Sequence, residues 1–117
     1  MGGIVAERRP KRRYLVYVIK LRKSVLRSRA FRRDNPAYQK GKPCVYVGQT
    51  SQTREDRFQQ HLTDRQKGSK WVRKYGKALF LWAYQDLPEF PTQEEAIQAE
   101  KDHAEELRSR GWGVWQR

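Results

Sequence analysis

The sequence predicts a small α/β fold of the α+β type, with a three-stranded, mostly antiparallel sheet flanked by helices. Two observations predict it. Short runs of β-branched and aromatic residues alternate along the chain with segments that carry helix-capping residues. The runs are apolar at successive positions, which is typical of strands that are covered on both faces. At 117 residues, the chain is long enough for one domain with a modest core.

Three segments are predicted strands. Residues 14–21 are rich in β-branched and aromatic residues, and their middle is apolar on both faces. Residues 44–47 form the second strand, which we expect to pair antiparallel with the first. The third strand is predicted at residues 78–84. The connection over residues 22–42 is basic and rich in turn residues, with one short helix predicted from Ser24 to Arg32.

Capping residues predict the helices. Thr53 is typical of an N-cap and begins a helix that follows the second strand. Residues 70–75 are a predicted short helix that ends at Gly76 in the C′ position. A capping box at residues 92–95 begins the last helix, which runs to about Arg110 and is stopped by Gly111.

The net charge is +13 and is unevenly distributed. Residues 1–43 hold fourteen Lys/Arg and two Asp/Glu, residues 44–77 hold eight and three, and residues 78–117 hold four and eight. Residues 1–13 are interpreted as a flexible basic arm. Because Lys and Arg neutralise phosphates and release counterions, the excess favours a polyanionic partner over a merely solubilising surface. A membrane-surface role is disfavoured, since no basic amphipathic helix with an apolar face is visible.

The single cysteine excludes an internal disulfide, and Cys44 lies in an apolar run typical of a buried small hydrophobe. Two histidines exclude a histidine-rich metal cage, and no Cys/His spacing for zinc is present. No secretion signal or long apolar span is present either, so we expect no membrane partner and a cytoplasmic location.

Residues suited to phosphate chemistry follow the second strand. Tyr46 precedes the glycine turn at Gly48, so its hydroxyl is expected near open space. Arg57 and His61 are four residues apart and share a helix face. The planar fork of an arginine suits two phosphate oxygens. A histidine can position a phosphate or water, or protonate a leaving oxygen.

Glu100 is the carboxylate that helical periodicity directs inward. The apolar stripe of the last helix consists of Ala96, Ile97, Ala104 and Leu107. Glu100 falls within that stripe, four residues after its first member. A carboxylate that faces a core is costly unless it is paired or binds a metal. The alternatives are therefore an ion pair with an arginine and a Mg²⁺ site, which commonly uses one carboxylate and several waters.

The order of these residues resembles the motifs of the GIY-YIG nuclease family over about residues 14–116. The matching residues are Leu15-Val16-Tyr17, Tyr46-Val47-Gly48, Arg57, His61 and Glu100. The resemblance implies the fold of that family and phosphodiester hydrolysis by water. It implies catalytic roles for Tyr17, Tyr46, Arg57, His61 and Glu100. It also implies one Mg²⁺ or Mn²⁺ ion held by Glu100. The first motif departs from the family by having no glycine at position 15.

The implied nuclease domain spans residues 14–117, with a basic insertion at about 22–42 that is longer than the family's usual loop. We expect DNA as the partner, with RNA left open, and a monomer or weak dimer. Recognition is expected through the backbone, shape or a few bases. The predicted nucleic-acid-binding residues are Arg22, Lys23, Arg27, Arg29, Arg32, Arg33, Arg54, Lys70, Arg73 and Lys74.

Each assignment has a structural alternative. Tyr17 and Tyr46 are also compatible with core positions, Tyr17 more so because it lies mid-strand, and His61 with a satisfied structural histidine. Arg57 can be a solvated helix charge, and Arg54 lies one turn earlier as its rival. For the whole chain, the alternatives to an endonuclease are a non-catalytic nucleic-acid-binding module and a basic protein that docks on an acidic partner. Which tyrosine acts on the water is left open.

Overall fold

The computed structural model describes residues 13–116, so the arm predicted at residues 1–13 lies outside the described residues except for Arg13. The chain forms an α+β sandwich with a four-stranded sheet. The strands are β1 (Leu15–Leu21), β2 (Cys44–Thr50), β3 (Gly76–Leu79) and β4 (Gly113–Gln116). The helices are α1 (Arg29–Asp34), α2 (Arg54–Thr63), α3 (Lys70–Tyr75) and α4 (Gln93–Ser109), with 3₁₀ turns at Lys23–Arg27 and Leu81–Ala83.

The strand order in the sheet is β3-β1-β2-β4. As predicted, β1 pairs antiparallel with β2, and Tyr17 lies opposite Gly48. β4 runs parallel to β2 but pairs only with its first half, from Cys44 to Val47. Within the described chain, the second half of β2, Gly48 to Thr50, therefore has no strand partner on that side.

The prediction of three strands is wrong by one, because β4 was not expected. A four-residue strand at the end of a chain carries too little periodicity to be distinguished from a loop. The third strand was also predicted too long. Phe80 still donates its N–H to the Val18 carbonyl at 2.8 Å, but Ala83 then bonds back to Phe80 at 2.9 Å. The apolar run thus turns away from the sheet, and the side chain of Trp82 is 80% exposed.

The basic connection contains a 3₁₀ turn and α1 instead of one helix from Ser24 to Arg32. Ser28 separates the two, because its hydroxyl accepts a hydrogen bond from the Phe31 N–H at 3.3 Å and caps α1. Val25 and Phe31 are fully buried. The connection is therefore packed onto the sheet by one apolar residue from each piece.

The caps predicted for the helix after the second strand and for the last helix are confirmed. Thr53 Oγ1 accepts from the Asp56 N–H at 3.0 Å and starts α2. Thr92 Oγ1 accepts from the Glu95 N–H at 3.2 Å, and its hydroxyl donates to the Glu95 carboxylate at 2.9 Å. Gly111 ends α4 in the left-handed region, with φ +86°.

Gly76 differs from the prediction, because its φ of −65° is not left-handed. A Cβ at this position would lie 2.5 Å from the Val72 carbonyl oxygen. A glycine is needed there for the close approach of β3 to α3, and not for a C′ cap.

The core lies on both faces of the sheet. On one face α4 packs over a cluster made of Val16, Val18, Val45, Val47, Tyr84, Ala104, Leu107 and Val114. On the other face the remaining helices cover a cluster made of Tyr17, Ile19, Leu21, Val25, Phe31, Cys44, Tyr46 and Val72. Alternation along each strand sends neighbouring side chains to opposite faces. None of the described helices is both long and apolar enough to cross a membrane.

Asn35 joins β4 to α1. Its side-chain amide donates to the carbonyls of Phe31 at 2.8 Å and Val114 at 3.0 Å. Its Oδ1 accepts from the Val114 N–H at 2.8 Å. The residue is 6% exposed, so these bonds satisfy backbone groups of an edge strand that water does not reach.

Asn35→Ala should lower the free energy of unfolding by about 2 kcal/mol, because it leaves buried backbone groups of Val114 without their partner. Urea denaturation followed by circular dichroism measures the change. Gln59→Ala, at an exposed position of α2, is the control and should change the value by less than about 0.5 kcal/mol. An equally small effect at Asn35 would contradict its role in holding β4.

Candidate active site

The pairing of β1 with β2 places the ring of Tyr17 directly over Gly48. A Cβ at position 48 would lie 2.5 Å from the Tyr17 Oη and 2.6 Å from its Cζ. Any other residue at this position would have to displace the tyrosine. Tyr46, two residues earlier on the same face of β2, stacks on Tyr17 with ring centroids 6.3 Å apart. The two tyrosines therefore share one face of the sheet, below α2.

His61 joins this pair from α2. The hydroxyl of Tyr17 lies 2.6 Å from His61 Nε2, and the N–H of Ser69 donates to His61 Nδ1 at 2.8 Å. Because a backbone N–H can only donate, Nδ1 carries no proton in this arrangement. The neutral imidazole then has its proton on Nε2 and donates it to the Tyr17 oxygen.

Gly68 makes the bond from Ser69 possible. A Cβ at position 68 would lie 2.6 Å from the Cα of His61 and 2.7 Å from the carbonyl oxygens of Asp64 and Gln60. The loop after α2 can therefore approach the helix closely, with Ser69 against the imidazole. Since both ring nitrogens of His61 are engaged and the residue is fully buried, the arrangement favours a positioning role over proton donation to a leaving group.

The loop itself is held by the carboxylate of Asp64. Its Oδ1 accepts from the N–H groups of Gln66 at 2.9 Å and Lys67 at 3.0 Å. These two bonds, the one from Lys67 first, hold the pKa of Asp64 below its usual value. The carboxylate thus remains charged at neutral pH and fixes the turn that carries Lys67.

Arg57 is oriented by the same loop. Its Nη1 donates to the Lys67 carbonyl at 3.1 Å and to Gln60 Oε1. Arg57 is 7% exposed, so its guanidinium is held in place and not loose in solvent. The rival Arg54 points elsewhere: its Nε donates to the Val16 carbonyl at 2.9 Å, and its guanidinium lies 4.5 Å from the centre of the Tyr84 ring.

These residues line one cleft of about 410 Å³, where α2 and the loop after it meet β2 and the end of β4. We call it the β2-edge cleft; its wall includes Tyr46, Arg57, His61, Lys67, Ser69 and Gln116. Tyr17 is not part of the wall and is fully buried. The cleft therefore contains three of the five expected catalytic residues, and Tyr17 contacts it through His61.

Glu100 lies on the other face of the sheet. It is 4% exposed and shares the buried face of α4 with Ala96, Ala104 and Leu107, whereas Ile97 is 37% exposed. Leu107 lies near the start of β2, because the chain passes from α4 directly into β4 there. Seven helical residues rise about 10 Å, or roughly three strand residues. This brings Glu100 about level with Val47, the last residue of β2 that pairs with β4.

Glu100 is the one carboxylate that is buried among the residues that the structure describes. Among residues 13–116, no group of three or more His, Cys, Asp and Glu side chains is close enough to hold a metal. A single buried carboxylate remains, and Mg²⁺ commonly binds through one or two carboxylates while keeping several waters. Burial raises the pKa of the Cys44 thiol, which keeps this residue neutral and apolar as expected.

The predicted nucleic-acid-binding residues are only partly brought together. Arg22, Arg27, Lys70 and Lys74 line a second cavity of about 710 Å³ together with Trp71 and Tyr75; we call it the basic groove. It adjoins the β2-edge cleft, because Trp71 packs on Trp115 with ring centroids 4.3 Å apart.

The other predicted cations lie outside the groove wall. Lys23 bonds to Tyr38 and to the Lys42 carbonyl, and Arg32 to the Leu26 carbonyl at 2.8 Å. Arg73 Nη1 donates to the Asp64 carbonyl oxygen at 3.5 Å. Arg29 and Arg33 are exposed.

The sequence reasoning missed Lys67 and Ser69. Neither belongs to a recognisable motif, and their contacts with Arg57 and His61 depend on the fold of a loop. A turn signal was visible at residues 64–68, and the glycine within it marks the close approach to α2.

A family model described as the GIY-YIG catalytic domain matches residues 37–112. Searches of curated proteins and of solved structures found no match. The matched residues include Tyr46, Arg57, His61 and Glu100, which are the expected catalytic residues apart from Tyr17.

The tautomer of His61 is directly testable. At neutral pH we expect the Nε2 nitrogen to be protonated and the Nδ1 nitrogen to be bare, because Ser69 donates to the latter. Long-range ¹H–¹⁵N correlation spectra of the imidazole rings distinguish the two nitrogens. A His103→Gln variant assigns the signals, since His103 is the other histidine of the chain. A proton on Nδ1 of His61 would contradict the arrangement.

Proposed function

The chain belongs to the GIY-YIG family, and from this premise we propose that it is a divalent-metal-dependent DNA endonuclease. It hydrolyses phosphodiester bonds in the β2-edge cleft. The observation that carries the proposal is that Tyr46, Arg57 and His61 line one cleft, although they come from a strand and a helix. Fixed donors that converge on a cleft beside a strand edge suit a phosphate.

The charge supports DNA as the substrate. The net charge of +13 favours association with a polyanion. Lys67 lies in the wall of the β2-edge cleft, and the basic groove continues from it with four cations. A strand bound across both would pass Trp115 and Trp71. Location in the cytoplasm, RNA as an alternative substrate and the oligomeric state stay predictions of the sequence.

Arg57 is proposed to stabilise the transition state. Both of its observed hydrogen bonds use Nη1, so the Nε and Nη2 groups are available for phosphate oxygens. Because the guanidinium is already oriented by Gln60 and the Lys67 carbonyl, it loses little freedom when it binds. Its fixed charge then meets the additional negative charge that develops on the phosphorus centre.

Tyr46 is proposed as the tyrosine that faces the attacking water. It lines the cleft and is 3% exposed. Its phenol oxygen accepts a hydrogen bond from the attacking water and orients it as the new P–O bond forms and the P–O bond to the leaving oxygen breaks. The proton of the water passes to solvent, and the leaving oxygen takes up a proton from solvent. Tyr17 and His61 act behind it: the bond between them fixes the imidazole, whose edge meets the Tyr46 ring at 5.2 Å between centroids.

Glu100 is proposed to hold the metal. When bound, a Mg²⁺ or Mn²⁺ ion would supply positive charge that offsets the negative charge developing during hydrolysis. The alternative function, a non-catalytic nucleic-acid-binding module, is favoured by the lack of a multi-carboxylate cluster in the described residues. Against it stands the convergence of Tyr46, Arg57 and His61 on one cleft, which a module that only binds nucleic acid does not require.

Glu100→Gln should leave folding and DNA affinity in EDTA unchanged, but lower the rate of plasmid cleavage in Mg²⁺ by at least about a hundredfold. The amide keeps the shape of the side chain and removes the charge that a cation requires. Agarose-gel assays of supercoiled plasmid with Mg²⁺, Mn²⁺ or EDTA measure the rate, and fluorescence anisotropy measures the affinity.

Glu94→Gln is the matched control, because Glu94 is an exposed carboxylate on the same helix. It should cleave like the parent. Cleavage by Glu100→Gln at the parental rate would remove Glu100 from the site. Binding without cleavage in every divalent metal, by the parent itself, would favour the non-catalytic module.

A further inference from the structure

A further pocket, of about 470 Å³ and distinct from the basic groove, adjoins the β2-edge cleft. Half of the residues in its wall are glutamines. We call it the amide pocket; its glutamines are Gln49, Gln52, Gln60, Gln66 and Gln93. It shares Arg57 and Lys67 with the β2-edge cleft. Whatever occupies the amide pocket therefore lies next to the group that Arg57 holds.

Gln49 has an unused acceptor in this wall. The residue is 4% exposed, and within residues 13–116 its Oε1 is the one buried side-chain oxygen or nitrogen that has no hydrogen-bond partner. A buried acceptor without a donor destabilises a fold, and native structures contain few of them. A ligand that donates a hydrogen bond to Gln49 Oε1 would remove this cost.

The side-chain amides of two neighbours, Gln52 and Gln60, already form hydrogen bonds within the protein. Gln52 Nε2 donates to Gln60 Oε1 at 3.0 Å, and the same oxygen accepts from Arg57. These bonds fix one side of the amide pocket and tie it to the phosphate-binding arginine. Gln49 is thus the amide of this wall whose oxygen is buried and has no partner among the described residues.

We propose that the amide pocket binds the base of a nucleotide next to the scissile phosphate, with Gln49 Oε1 accepting from the exocyclic amino group. This inference rests on the proposed nuclease function and adds sequence preference to it. A carboxamide matches adenine best, because its oxygen accepts from N6 and its NH₂ donates to N7. Thymine presents no amino group and is disfavoured at this position.

The chemistry of the wall argues for a base and against a second phosphate. Apart from Arg57 and Lys67, the wall consists of neutral amides and hydroxyl residues such as Tyr14, Thr50 and Ser51. Such groups pair with the donors and acceptors of a base edge. The bare oxygen of Gln49 would repel a phosphate oxygen.

The experiment uses the full chain, a random-sequence DNA library and sequencing of the cut ends. The parent should enrich adenine at one position beside the cut. Gln49→Met removes the acceptor at nearly constant volume and should flatten that position while cleavage continues elsewhere in the library. Gln59→Met, at an exposed position outside the pocket, is the matched control and should keep the parental preference.

The amino group is then tested by itself. Replacing the preferred adenine with purine, which lacks N6, should slow cleavage by the parent on the order of tenfold. Gln49→Met should cleave both substrates equally. A flat parental profile, or a preference that survives in Gln49→Met, would overturn the proposal.

Two further readouts separate this inference from the proposed function. Anisotropy in EDTA compares adenine and purine oligonucleotides without cleavage: a parental preference for adenine that Gln49→Met loses supports the pocket even if the chain does not cut, and equal affinities overturn it. Weaker Mn²⁺ binding by Gln49→Met with an unchanged base profile also overturns it, because the amide would then serve the metal.

Discussion

The structure depends on the close approach of the Tyr17 ring to the backbone of Gly48. With 2.5 Å between the tyrosine oxygen and the place of a Cβ, only a glycine permits it. The hydroxyl is thereby brought to His61, 2.6 Å away, and this bond fixes α2 against the sheet. Arg57, one helical turn before His61, then takes its place at the edge of β2. Because Gly48 has no side chain, the distance between β2 and α2 is set at this position.

The short length of β4 is the second constraint. Within residues 13–116, β4 pairs with the first half of β2, as far as Gln116 opposite Val47. The uncovered half contributes Gln49 and Thr50 to the amide pocket, whose wall also includes Arg57. Glu100 is buried under α4, on the other face of the sheet, and lines neither this pocket nor the β2-edge cleft.

Local signals in the sequence were sufficient for much of this. Threonine caps predicted where α2 and α4 begin, and helical periodicity predicted that Glu100 is buried. The length of β3 and the existence of β4 were not predictable, because they depend on which apolar residues find a partner strand. Contacts between residues that are far apart in the sequence were also not predictable. That Arg57 and not Arg54 lines the cleft follows from the Lys67 carbonyl and the Val16 carbonyl, which no motif contains.

The proposed function gives the two tyrosines different tasks: Tyr46 faces the reacting phosphate, and Tyr17 acts only by holding His61. Single-turnover cleavage by Tyr46→Phe and Tyr17→Phe at saturating DNA and Mg²⁺ separates these tasks. Tyr46→Phe should lose at least about a hundredfold in rate, as is typical when a group that handles a proton is removed. Tyr17→Phe should lose less than about tenfold and be less stable, because His61 lacks its acceptor. A larger loss for Tyr17→Phe than for Tyr46→Phe would reverse the two assignments.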